Sequence, residues 1–391
     1  MRKGARGDVL LLASVFAGLS AFVWHVYRPR PSLEGVDHLV ASKRFGEAEA
    51  RLISYLDRVP DDNIARLLLA RTSVDRPDSK PAQALEHLPK IRAVDPRLGA
   101  EVKSVEGEAH FQLRRFDAAE NAWLEAFRLD PRIPEVGWGL LNLYALQGRE
   151  EEARQLGLRL FAVEPDPHDK IQLLLQLIRH DAHGISAGSV VDRLQTVVRE
   201  NPGDLHSSLA LGLALVHEGR SDTGLKRLRE SVESHPDRAD VRDAYFSGLV
   251  DAGRVDELGQ TLKELPSSLS EDPRFDVARG WLASQRGDWT AATRAYRRAW
   301  EARPSDPILS YRLQSALRVV GGQEGCDSLS ARLDDSVTSR ETLRTLYDQI
   351  DALPDLGRVP HPDLYLQAAD VLEKIGRRDE AAAWRRLAGA D

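Results

Sequence analysis

The chain has 391 residues, a formal net charge of −7 and one cysteine. The acidic balance excludes a general binder of nucleic acid or anionic lipid, because such surfaces need a basic excess to displace counterions. The single Cys326 excludes a disulfide framework and any zinc or iron–sulfur site built from several cysteines.

Residues 1–8 form a basic flank carrying Arg2, Lys3 and Arg6, and residues 9–27, VLLLASVFAGLSAFVWHVY, carry no formal charge. A helix of that length is roughly 28 Å long, close to the roughly 30 Å of a bilayer core, so the segment is predicted to be a transmembrane signal-anchor with the lipid bilayer as its partner. Trp24 and Tyr27 at its far end suit the interfacial belt. A cleavable signal is the competing reading and would give a secreted protein. Its best small-x-small site, Gly18-Leu19-Ser20, lies inside the apolar run, which favours retention. The basic residues ahead of the segment outweigh Arg28 and Arg30 behind it, predicting a cytoplasmic N-terminus and an extracytoplasmic remainder. Residues 28–32, RPRPS, resist helix and form a stiff spacer.

From 33 to 391 the chain repeats. Gly219, Gly253, Gly287 and Gly321 stand at intervals of 34, and Arg279 to Pro304 reads as two helices joined at Gly287. Prolines 60, 96, 131, 165, 202, 236 and 304 keep nearly the same spacing, with one repeat skipped before the last. A small-residue column comprises Ala48, Ala84, Ala119, Ala153, Ala292, Cys326 and Ala381, in which the cysteine serves packing. A large one comprises Leu52, Leu88, Trp123, Leu228, Leu262 and Tyr296, and a third holds Gly107, Gly212 and Gly280.

The pattern fades twice. The polar run His180 to Ser186 predicts an enlarged loop, and register is lost from Ser336 to Pro360. Ser339 to Leu353 is expected to form an extra helix and His361 to Gly389 a last hairpin turning at Gly376. Arg377, Arg378, Arg385 and Arg386 would give that terminal hairpin a polar outer face.

These columns resemble the tetratricopeptide repeat, most strongly over Glu101 to Pro165 and Leu205 to Gly321. The resemblance implies an all-α, right-handed superhelical solenoid of about nine or ten helix-turn-helix hairpins over 33–391, after one N-terminal transmembrane helix. In layout the chain also resembles a bacterial regulator of lipopolysaccharide assembly. That family ends in a four-cysteine metal knuckle, which a chain with one cysteine cannot carry.

No catalytic set is legible. His180 and His183 would share a face only on a helix, and there is no phosphate loop, HExxH or GxSxG. The chain is therefore expected not to be an enzyme and to take no cofactor, metal, nucleic acid or small-molecule substrate. By the resemblance, free-side residues of the first helices line a concave peptide groove: Trp138 and Asn142; Arg274, Trp281 and Gln285; and Tyr311, Arg312, Ser315 and Arg318. Arg312 and Arg318 would take an acidic or C-terminal peptide, with Trp281 and Tyr311 as apolar anchors. The alternative for Trp138 and Trp281 is packing between hairpins. The expected role is a membrane-anchored interaction scaffold or adaptor for protein partners. The rival is a non-catalytic regulatory or accessory subunit of an envelope enzyme or assembly complex.

Overall fold

The computed structural model describes residues 33–92, 95–183, 187–303, 306–321 and 338–389, which are helical with no strand among them. They fall into two compact units, one up to residue 92 and one from Asp95.

The first unit holds α1 (Val36–Ala41), α2 (Phe45–Leu56), α3 (Asn63–Asp75) and α4 (Pro81–His87), which runs into a short 3-10 turn, Leu88–Lys90. Val36, Ala48, Leu52, Ala65 and Leu69 form its core. Asp62 caps α3 by accepting from the Ile64 and Ala65 amides, satisfying donors that the first turn leaves free. Glu49 on α2 reaches across to Arg76 at 2.5 Å and Lys80 at 3.1 Å. Asn63 closes the unit, donating to the Arg92 carbonyl and accepting from the Arg92 amide.

The second unit continues with α5 (Pro96–Gln112), α6 (Phe116–Leu129), α7 (Pro134–Leu146), α8 (Glu150–Val163), α9 (Pro167–His183) and α10 (Ala187–Glu200). Then follow α11 (Leu205–His217), α12 (Ser221–Ser234), α13 (Ala239–Asp251), α14 (Val255–Lys263), α15 (Asp276–Gln285), α16 (Trp289–Ala302) and α17 (Pro307–Val320). A helix over 338–351, α18, precedes α19 (Pro362–Lys374) and α20 (Arg378–Leu387).

The hairpins that turn at Lys43, Arg114, Gly148, Gly219, Gly253, Gly287 and Gly376 share one backbone device. After α7, Gly148 sits at φ +66, its amide bonds the Ala145 carbonyl, and the Arg149 amide reaches back to the Tyr144 carbonyl. This is the Schellman closure, which needs a left-handed residue just past the helix end. The α5–α6 turn makes the same bonds with Arg114 at φ +58, a conformation that a side chain adopts at a cost of roughly 1 kcal/mol.

The glycine and large-residue columns turn out to be two sides of one contact. A Cβ at Gly107 would lie 2.3 Å from Trp123, and one at Gly212 would lie 2.6 Å from Leu228. Gly139 and Gly248, on the first helices of the next hairpins, press on the same Trp123 and Leu228 from the other side. Without a side chain the backbones approach closely enough for each large residue to fill the gap between hairpins.

The array is not a simple sequential stack. The C-terminal hairpin α19–α20 returns to α8 and α9, where Tyr365, Ala368, Leu372 and Trp384 share a core with Phe161, Ile171, Leu174 and Ile178. Arg377, expected on a solvated outer face, is instead buried: it pairs with the buried Glu380 and donates to the Leu177 carbonyl at 3.2 Å. Meanwhile α10 and α11 dock near the α5–α6 turn and the end of α7. Asn201 donates to the Arg114 carbonyl at 2.6 Å, and Gln147 to Ser207 Oγ at 3.4 Å. The run from His180 is a second correction, because α9 extends through His183 and α10 starts at Ala187. Ile171, Leu174, Leu175 and Ile178, spaced three or four apart and buried, carry α9 through its polar end.

The Val9–Tyr27 segment and Cys326 lie outside the described residues. Among the described residues, no helix is long and apolar enough to cross a membrane.

Candidate functional site

The 34-residue period places one residue from each first helix at equivalent positions. Asp243, Val277 and Tyr311 form one such row; Ser247, Trp281 and Ser315 a second; His217, Asp251, Gln285 and Val319 a third. Helices α13, α15 and α17 bury their alternate faces through Phe246, Leu249, Leu282, Leu313 and Leu317, which leaves these rows on the opposite side. Between the three helices lies a cleft of about 170 Å³ lined by Asp243, Ser247, Asp251, Val277, Arg303 and Arg312, among others.

The charges in this groove differ by rung: acidic on α13, absent from the α15 row residues and basic on α17. On the α11–α13 rung His217 Nε2 lies 3.0 Å from Asp251 Oδ2, and that hydrogen bond holds the imidazole above its usual range. Burial raises the Asp243 carboxyl to about 6, although Arg303 and Arg274 oppose the shift. On the α17 rung Asp306 is spent on capping, accepting from the Leu309 amide at 3.0 Å. Arg312 and Arg318 have no ion-pair partner among the described residues, and Tyr311 is 62% exposed beside them. Arg279, which precedes Trp281, is committed elsewhere: with Arg298 it neutralises the buried Asp276 at 2.9 and 2.6 Å.

The nine residues expected in a groove separate into three groups. Trp281, Gln285, Tyr311, Arg312, Ser315 and Arg318 stand on the adjacent helices α15 and α17. Trp281 is half-buried and packs against the cores on both sides of it, so it is a joint between hairpins as well as a groove residue. Arg274 lies before α15 in a 3-10 turn, held by Asp272 at 3.0 Å and 2.7 Å. Trp138 and Asn142 belong to α7; Trp138 packs against the Trp123–Leu140 core and Asn142 is exposed. Sequence reasoning missed His217, Asp243, Ser247, Asp251 and Arg303, although the first four follow from stepping back 34 residues along each row.

A larger cleft of about 850 Å³ lies where the start of α8, the α16–α17 link and the α19–α20 turn converge. Its walls interleave Glu150, Glu151, Asp379 and Glu380 with Arg154, Arg303, Arg340 and Arg378, a self-neutralising seam. Arg154 Nε lies 2.9 Å from Glu380 Oε1 across it. No group of three or more His, Cys, Asp or Glu among the described residues is placed to hold a metal ion. His180 and His183 do stand three apart on α9.

Residues 105–168, spanning the Gly107–Trp123 contact and the Gly148 turn, match the tetratricopeptide repeat family. That stretch carries the tetratricopeptide repeat signature. Solved structures are similar to the chain only distantly. The APC/C hetero-tetramer Cut9-Hcn1 is 15% identical with a TM-score of 0.34, over 98% of this chain and 77% of that one. The human IFIT1 dimer with PPP-AAAA is 15% identical with a TM-score of 0.34, over 89% and 95%. The TPR domain of P58(IPK) is 15% identical with a TM-score of 0.26, over 91% of each chain. At this similarity none of them bears on what the repeats bind. No curated protein matches the chain.

Proposed function

We propose that this tetratricopeptide repeat protein is a membrane-attached scaffold that holds a protein partner in the groove of α13, α15 and α17. Repeats of this family generally mediate protein–protein contacts and are typically non-catalytic. The observation that carries the reading is the α17 rung: an exposed Tyr311 with Arg312 and Arg318 free of ion pairs beside it. A guanidinium without an internal carboxylate is available for bidentate capture of one from a partner, and an aromatic ring adds contact area at low entropic cost. Asp243 and Asp251 on the α13 rung favour a partner segment whose other end is basic. The uncharged run of residues 9–27, with its basic flank ahead, supports attachment to the bilayer with the repeats outside the cytoplasm.

The test is a pull-down with the full chain from detergent-solubilised membranes, comparing wild type with Arg312→Ala/Arg318→Ala. Arg294→Ala, an exposed change on the second helix α16, serves as control. The groove variant should lose a partner that the control retains, at unchanged melting temperature. Equal recovery by both would reject the groove. Carbonate extraction and protease protection of the same chain test its attachment and orientation.

A further inference from the structure

Away from the groove, the return of the C-terminal hairpin creates a cleft of about 500 Å³ between the α8–α9 junction, the 357–360 loop and the end of α20. Its floor is apolar, with Phe161, Ile171, Val359 and Leu387 among the lining residues. Its charged lining is of one sign. Lys170, Arg358 and Arg386 all contribute, and no Asp or Glu does, in a chain whose net charge is −7.

Two of those cations converge. Lys170 Nζ lies 5.4 Å, and Arg386 Cζ 5.6 Å, from the centroid of the Phe161 ring. Both are thus held within cation–π range of one ring, and the cleft lining holds no carboxylate to offset their mutual repulsion. None of the three has an ion-pair partner among the described residues, whereas the adjacent Arg385 is engaged by Glu373 and Asp370. The wall that presents Arg358 is fixed in place. His168 Nδ1 lies 3.1 Å from the Leu356 carbonyl, and Gly357, at φ +78, approaches α9 so closely that a Cβ would lie 2.5 Å from His168 Cα. Tyr365, also in the lining and only 2% exposed, has a buried hydroxyl with no hydrogen-bond partner among the described residues. An orphaned buried donor is a standing cost that an acceptor would relieve.

We propose that this cleft binds a small anionic amphiphile: one carboxylate or phosphate monoester head seated among Lys170, Arg358 and Arg386, on a short apolar body that covers Phe161 and Ile171. The proposal is independent of the groove reading.

Titration calorimetry of the purified full chain with octanoate and with octyl phosphate tests it, using octanol as the neutral control. At least one anion should bind saturably, with octanol roughly tenfold weaker or more. Octanoate alone binding identifies a carboxylate source, octyl phosphate alone a phosphate headgroup, and both binding equally identifies head charge as the criterion. Lys170→Ala/Arg386→Ala should weaken the anion roughly tenfold or more, and Arg385→Ala should not. Arg358→Ala, exposed and in a loop, gives the same reading should the double variant fold poorly. Tyr365→Phe should weaken binding without lowering the melting temperature of the free protein. No saturable binding, equal binding of octanol, or indifference to removing the three cations would overturn the proposal.

Discussion

Gly280 and Tyr296 make one contact between them: a Cβ on the glycine would lie 2.6 Å from the ring Cδ1 and 2.7 Å from Cε1. The two are 16 residues apart, as are Gly107 and Trp123, and Gly212 and Leu228, so the spacing recurs with the repeat. In these three hairpins the first helix gives up a side chain so that the second helix can place a large one. Gly280→Ala should therefore destabilise the second unit. Overpacking costs roughly 1–3 kcal/mol, offset by about 1 kcal/mol of improved helix propensity. Adding Tyr296→Leu should recover part of the loss, and chemical denaturation of the four proteins in the cycle measures the coupling. Strict additivity would separate the two residues.

Asp243 supplies a pH-dependent test. Its carboxyl is raised to about 6 by burial, so in the folded protein it ionises at a cost above that pH and is protonated below it. The sign follows from linkage: the native state binds this proton more tightly than the unfolded chain, so the contribution of Asp243 to stability falls as pH rises from about 4 to about 6. Asp243→Asn should raise the melting temperature at pH 7.5, and the gain should shrink as pH falls through about 6, reaching about half by pH 5 and approaching zero only below about pH 4. A gain that grows on acidification would mean that Arg303 and Arg274 dominate instead.

The return of the C-terminal hairpin rests on a buried pair. Arg377 and Glu380 side chains are 4% and 2% exposed. Glu380→Ala strands the guanidinium and should cost about 3–5 kcal/mol, because an uncompensated buried charge is left behind. Hydrogen exchange should show α19, α20 and the facing parts of α8 and α9 losing protection together. A loss below about 1 kcal/mol, the range of a solvated pair, would show that the apolar core around Trp384 holds the hairpin unaided.

The repeat was legible wherever its determinants are local. The turn glycines, the small column and the large column recur at fixed spacing, and buried members such as Ala48, Ala119, Trp123 and Tyr296 occupy the core. What was not legible is long-range. Arg377 bonds a carbonyl 200 residues away, and nothing in its own neighbourhood distinguishes it from the solvated Arg378. The polar end of α9 reads as loop because its composition is polar, yet its helix is set by the apolar stripe upstream. In the groove, Tyr311 and Arg312 were found from their side-chain chemistry. Asp243 and Asp251 were passed over because short acids on a helix ordinarily read as solvated, and only the row they share with Tyr311 and Gln285 marks them.

The most direct test of partner binding in the groove is site-specific photo-crosslinking in intact membranes. A benzophenone at position 311 would be compared with one at Leu124, an exposed position on the second helix α6. Position 311 should yield a discrete adduct that Leu124 does not, and Arg312→Ala/Arg318→Ala should abolish it. Equal adducts from both positions, or an adduct at 311 indifferent to removal of the two arginines, would contradict the groove as the binding surface.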